Sequence, residues 1–274
     1  MFDHILVPLD GSPLAECVLP HTVAIARAFE PQVTLLRVLA RPSTTNQIRP
    51  VDPLDWQFGK AEAKAYLDGL TTHLREVGLR TDNTLLEGQA AERIIEFAYG
   101  HDVNLIVLSS HGRSGLSRWN ISSVVQKIIL QAYVPTMIVR AYQPVACDLT
   151  GLCYQRLLVP LDCSQRAECV LSSAITLARF HRSELLLVHV VSRPEMPRRV
   201  PPTQEEVELA NQITELNKLE AARYLEQLQS QLSLDVETRL LVSDDAAATL
   251  HDLVEAENVD LVVLSAHGYS GGTK

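Results

Sequence analysis

Short blocks, most of them rich in apolar residues, recur along the chain, each followed by a longer stretch in which apolar residues return every three or four positions. The blocks at residues 4–9, 33–39, 81–86, 105–108 and 136–140 predict buried strands. Between them, Cys17, Val18, Ala24, Ile25 and Ala28 form the apolar side of a helix running to about Phe29. Tyr66, Leu67, Leu70, Leu74 and Val77 mark a second helix over residues 61–77, and Ile94, Ile95 and Ala98 a third. A fourth begins at about Ser123, with Val124, Val125, Ile128 and Ile129 in helical spacing up to Ala132. Residues 41–55, rich in Pro, Ser, Thr and Asn, read as a long loop. Strands that are apolar throughout and alternate with helices predict an α/β fold, a parallel sheet covered on both faces.

The pattern then repeats. Residues 157–162 match residues 5–10 at a shift of 152, and Ser164, Ala167, Glu168, Cys169, Val170 and Leu171 match Ser12, Ala15, Glu16, Cys17, Val18 and Leu19. By Ser265 the shift is 156, so four residues are gained, and the loop and helix at 194–232 are the expected place. Glu205, Glu206, Glu208 and Lys218 there read as a solvated face. Two domains follow, over residues 1–142 and 155–274, with residues 141–154 expected as an exposed connector. The second copy reaches Lys274 inside its glycine loop, so it is expected to be incomplete after its fourth strand.

The chemistry gathers after the fourth strand. Ser109 to Gly115 are small and polar, with Gly112 and Gly115 three apart, and Ser122 and Ser123 stand as N-cap candidates before the helix. Strand, glycine loop and helix N-terminus in that order offer backbone N–H groups and the positive end of a helix dipole to an anion. A plain turn would need the glycines too. The second copy, however, also repeats the histidine and serine: Ser265, His267, Gly268, Ser270 and Gly271 match Ser109, His111, Gly112, Ser114 and Gly115. Ligands of open parallel sheets bind beyond the carboxyl ends of the strands. There Asp10 can accept hydrogen bonds from ribose hydroxyls, or cap the helix that follows it, and the same alternatives apply to Asp162. Val38 can offer backbone groups and an apolar wall to a base, and Arg113 can reach a phosphate.

Composition narrows the function further. A net charge of −9 disfavours polyanions and acidic membranes, and 5% aromatic residues argue against base stacking, so no nucleic-acid or membrane partner is expected. The N-terminus shows no signal peptide and no apolar run reaches the length of a membrane span, which points to the cytoplasm. The five cysteines include no C-x-x-C and no zinc spacing. Cys17 and Cys169 are expected as small buried packing residues, and a reducing cytosol would keep Cys147 and Cys153 as thiols. Neither a P-loop nor a G-x-S-x-G elbow is present. His111 and His267 have no carboxylate fixed beside them in sequence, which favours loop histidines bonded to backbone over catalytic ones.

Together these residues resemble a tandem universal stress protein. Nucleotide-binding members of that family carry G-x-x-G-x9-G-[ST]; here the stretch is Ser109-x-x-Gly112-x9-Ser122-Ser123, with the spacing kept and both outer glycines replaced by serine. The resemblance implies two doubly wound domains, each a five-stranded parallel sheet in the order 3-2-1-4-5, paired as an internal pseudo-dimer, with a homodimer as a further assembly. It implies that Pro8, Leu9, Asp10 and Val38 hold adenosine, and that Ser109, His111, Gly112, Arg113, Gly115, Ser122, Ser123 and Val124 complete the nucleotide site. In the second copy Pro160, Leu161, Asp162, Val190, Ser265, Gly268 and Gly271 correspond. The ligand implied is ATP, or ADP or AMP, with Mg2+ admitted beside it, held as a regulatory ligand. Two other readings stand: a slow ATP hydrolase using the same pocket, and an interaction protein whose pocket is empty. Asp10 is the only acidic residue the sequence places at the pocket, so no catalytic residue is assigned.

Overall fold

Two separate parallel sheets carry the chain in the computed structural model, which describes residues 2–40, 53–111, 121–141, 149–194 and 203–266. The first is built from β1 (His4–Pro8), β2 (Gln32–Leu39), β3 (Thr81–Glu87), β4 (Leu105–Ser109) and β5 (Thr136–Val139), in the order β3-β2-β1-β4-β5. Its helices are α1 (Val18–Phe29), α2 (Pro53–Glu76), α3 (Ala90–Gly100) and α4 (Ser123–Gln131). The second sheet holds β6 (Arg156–Pro160), β7 (Glu184–Val191), β8 (Val236–Val242) and β9 (Leu261–Val262), in the order β8-β7-β6-β9. Its helices are α5 (Gln165–Glu168), α6 (Leu171–His181), α7 (Gln204–Gln231) and α8 (Ala246–Ala256). The chain divides into compact units Met1–Leu152 and Cys153–Lys274.

Each unit closes its own core. In the first, Leu6, Leu36, Ile106 and Leu108 project from the sheet onto Ile94, Phe97 and Ala98 of α3 and Val125 and Ile128 of α4. In the second, Leu158, Leu186 and Val188 meet partly buried Leu250, Leu253 and Val254 of α8. The central strands are fully buried in the middle, with Ile5, Leu6 and Val7 matched by Leu157, Leu158 and Val159, all at 0% exposure. That is why they read as unbroken apolar runs.

Three expectations change. The helix expected over 61–77 begins eight residues earlier, at Pro53. Proline suits a first helical turn and Asp55 suits the dipole there. Leu54 and Phe58 are 65% and 71% exposed, however, so these turns face no core and show no apolar period. The connector is not exposed throughout: Leu149 and Tyr154 are buried, and Tyr154 packs edge-on against His181 while its carbonyl accepts the Ser183 hydroxyl at 2.7 Å. Residues 142–148 lie outside the described residues. Finally, Cys17 is buried but Cys169 is exposed. Cys17 is covered at the end of β4, its thiol donating to the Ser109 hydroxyl at 3.5 Å, whereas β9 ends at Val262, short of Ser265, the counterpart of Ser109.

The α7 helix has 28 residues against 24 in α2. Its start is fixed by a capping box: the Glu206 N–H donates to Thr203 Oγ1 at 3.3 Å, and the Thr203 N–H to the Glu206 carboxylate at 2.8 Å. Thr203→Ala should cost the first turns of α7 about 0.5–2 kcal/mol. The gain in amide hydrogen exchange at residues 206–209 measures it; unchanged protection would mean the box contributes nothing.

Candidate functional site

The order β3-β2-β1-β4-β5 reverses at β1, and the crevice beyond the carboxyl ends of β1 and β4 is where such sheets bind ligands. Pro8 ends β1. Leu9, 3% exposed, donates its N–H to the Leu36 carbonyl at 2.8 Å, the last bond between the two strands. Along β2 the bonding side alternates. The Leu36 carbonyl serves β1, while the Leu39 carbonyl accepts the Gly88 N–H at 2.9 Å on the β3 side. Val38 therefore turns its N–H and C=O to the β1 side, beyond the point where β1 has ended. Its side chain packs on the α3–α4 core. The second unit repeats this: Leu161 N–H donates to the Val188 carbonyl at 2.8 Å, Ser243 N–H to the Val191 carbonyl at 3.1 Å, and Val190 holds the place of Val38 after Pro160.

Asp10 caps the turn it opens, accepting the Ser12 N–H on Oδ1 at 2.9 Å. Asp162 does the same for Ser164, taking its N–H at 3.0 Å and its hydroxyl at 2.5 Å. A carboxylate has about four acceptor positions, so capping and ribose recognition are compatible roles for one side chain.

Beyond β4, Ser109 Oγ lies 3.1 Å from the Leu14 carbonyl and 2.6 Å from that of His111. Ser110 does more than the sequence suggested. Its N–H donates to the Val139 carbonyl at 2.8 Å, its carbonyl accepts the Ser122 N–H at 3.1 Å, its Oγ accepts the Ala141 N–H at 3.1 Å, and the same Oγ lies 3.0 Å from His111 Nδ1. One buried serine thus holds both ends of the glycine loop against the end of β5. His111 is held by this hydroxyl rather than by backbone alone. Ser122 is the N-cap of α4, its hydroxyl accepting the Val125 N–H at 3.3 Å. The Ser122 N–H expected to face a phosphate is instead spent on Ser110, because the N-cap backbone is extended (φ −59°, ψ 147°) and sits outside the helix. Ser123 and Val124 carry the first helical N–H groups, which have no acceptor within a helix. Gly112, Arg113, Gly115, His267, Gly268 and Gly271 lie outside the described residues; Ser265 follows β9.

A second set of residues packs behind the Asp10 turn. Gly11 adopts φ +80° with the Arg37 guanidinium against it, and that guanidinium lies 5.2 Å from the centroid of the Tyr66 ring. The Tyr66 hydroxyl donates to Glu16 Oε1 at 3.0 Å. Burial, then the Glu16 carboxylate, push its phenol well above the ordinary range, so it stays a neutral donor. Tyr224 and Glu168 repeat the bond at 3.0 Å, with the phenol raised by burial and by Glu168. Cys163 stands where Gly11 does and His189 where Arg37 does. His189 Nδ1 is 2.7 Å from the Leu161 carbonyl and 3.7 Å from Cys163 Sγ. Burial, with Asp162 and Glu168, raises the Cys163 thiol, the opposite of an activated nucleophile. Among the described residues no group of three or more His, Cys, Asp or Glu side chains could hold a metal ion. No helix among them is long and apolar enough to cross a membrane.

Comparison with known proteins agrees with this architecture. The model of the Universal stress protein family matches residues 1–140 and again residues 154–274. Universal stress protein MJ0531 of Methanocaldococcus jannaschii is 28% identical over 141 residues, 51% of this chain and 83% of its own length. Universal stress protein MJ0577 of the same organism is 25% identical over 159 residues, 51% of this chain and 96% of its own length. Each relative thus corresponds to about one half of the chain. A universal stress protein from Archaeoglobus fulgidus has been solved whose fold covers 96% of this chain and 86% of its own, with a TM-score of 0.68 at 16% identity. The chain belongs to the universal stress protein family and carries two of its domains in tandem.

Proposed function

We propose that the first half binds an adenine nucleotide as a regulatory ligand, in the cytoplasm, without efficient turnover. The observation that carries this reading is that three differently suited groups stand at the carboxyl end of one sheet. The Val38 N–H and C=O lie beyond the end of β1, where a base edge can pair with them. Asp10 stands at the mouth, a carboxylate for ribose hydroxyls. The N-terminus of α4, with the Ser123 and Val124 N–H groups and the positive dipole end, faces the same end of the sheet, a place for phosphates. ATP, ADP and AMP share the adenosine and first phosphate that this arrangement would meet, and any Mg2+ would be carried by the phosphates. The second half repeats the adenosine end in Pro160, Leu161, Asp162 and Val190.

Titration calorimetry with ATP, ADP, AMP and adenosine tests the reading. Asp10→Ala should weaken all four about tenfold, the worth of a hydrogen bond to a charged group. Undetectable ATP binding by the wild-type protein would favour the empty-pocket interaction protein. Hydrolysis of radiolabelled ATP well above the protein-free rate, abolished by Asp10→Ala, would favour the enzyme.

A further inference from the structure

Arg37 is only 8% exposed, and its cation sits at the carboxyl end of β2 beside the turn that carries Asp10. A Cβ on Gly11 would stand 2.9 Å from Arg37 Cζ and 3.0 Å from both terminal nitrogens. The guanidinium is thus wedged between the Gly11 backbone and the Tyr66 ring, while Tyr66 is tied to Glu16 at the far end of the same turn. Residues 10–16 are braced from β2 and α2 together. The second half shows that the fold has another way to fill this place. There the tyrosine–glutamate bond and the positive φ (65° at Cys163) are kept, but the histidine is smaller than arginine and position 163 bears a side chain. A side chain at position 11 would push the Arg37 guanidinium aside, whereas in the second half a cysteine stands beside the shorter histidine. The two positions change together between the halves.

Burying a guanidinium is costly, and the second half does without one. Asp10 and Arg37 both lie near enough to the Tyr66 phenol to act on it, with opposite sign. We infer that Arg37 is a positioning residue for ribose recognition in the first half, fixing the turn that presents Asp10, and that Gly11 is glycine because Arg37 is arginine. The inference rests on the nucleotide reading above and deepens it: Arg37 acts through Asp10 on the ribose hydroxyls, not on the base or the phosphates.

Calorimetry with ATP and 2′,3′-dideoxy-ATP, which lacks the hydroxyls Asp10 would read, separates the two ideas. Wild-type protein should prefer ATP about tenfold. Arg37→Met should lose about tenfold for ATP and less than about twofold for the dideoxy nucleotide, removing the preference. Gly11→Cys should do the same by displacing the guanidinium. The double variant Gly11→Cys/Arg37→His, which installs the pair of the second half, should recover both the preference and the thermal midpoint lost by Gly11→Cys. Equal losses for the two nucleotides in Arg37→Met, or no recovery in the double variant, would overturn the inference while leaving the nucleotide reading intact. No ATP binding by the wild-type protein would overturn both.

Discussion

Ile106→Ala should lower the unfolding free energy of the first unit by about 2–5 kcal/mol and leave the transition of the second unit in place. Ile106 is fully buried on β4, between β1 and β5, with Leu6 and Thr136 as its register partners. It belongs to the cluster in which α3 and α4 grip the sheet through Phe97, Val125 and Ile128. Truncation removes the buried methyl groups and leaves a cavity that a central strand, hydrogen-bonded on both sides, cannot close by shifting. The second core, around Leu158, Leu186 and Val188, shares none of these residues. Both tryptophans, Trp56 and Trp119, fall in the first unit. Tryptophan fluorescence in urea therefore follows that unit, while far-UV circular dichroism adds the second. A fluorescence midpoint that moves alone is the expected result. If both signals moved together by the same amount, the units would not unfold separately.

The central strands were legible in the sequence because burial on both faces leaves Ile5, Leu6 and Val7 of β1 and Leu105 to Leu108 of β4 as unbroken apolar runs. The repeat was legible because the turn after each first strand needs the same aspartate and serine. The start of α2 was not, since Leu54 and Phe58 face outward and leave no periodic trace. Nor was the exposure of Cys169, whose counterpart Cys17 is buried with its thiol on the Ser109 hydroxyl. In the candidate site the sequence pointed to Asp10 and to the backbone groups of Val38, but not to why those groups are left over. Val38 faces the β1 side by the alternation of the strand, and its N–H and C=O stand past the end of β1 because the pairing with β1 stops at Leu36 while that with β3 runs to Leu39. The Gly11–Arg37 wedge joins residues 26 positions apart and leaves one trace in the sequence: both positions differ between the copies, where their neighbours Asp10 and Val38 do not. Ser110 was passed over for the converse reason. Alanine stands at 266 in the second copy, so the repeat carries no mark of this serine.

That serine carries the other large expected effect. Ser110→Ala should raise the dissociation constant for ATP about tenfold, while adenosine binding changes less than about twofold and the first unit loses about 1–3 kcal/mol of stability. The hydroxyl accepts the Ala141 N–H, and Ala141 is 4% exposed, so its loss leaves a buried donor without that acceptor. It also lies 3.0 Å from the His111 ring at the entry of the glycine loop, and the Ser110 carbonyl receives Ser122 at the exit. The α4 N-terminus is thus placed through Ser110, whereas Asp10 and Val38 are placed by β1 and β2 and should not feel the change. Phosphate contacts should therefore weaken while the adenosine end holds. Calorimetry with both ligands on Ser110→Ala, with Ser110→Thr as the variant that keeps a hydroxyl, reads the split. Equal loss for ATP and adenosine would show that the serine merely stabilises the domain. An unchanged ATP affinity at the lowered stability would show that the phosphates of the nucleotide do not meet the helix that Ser110 anchors.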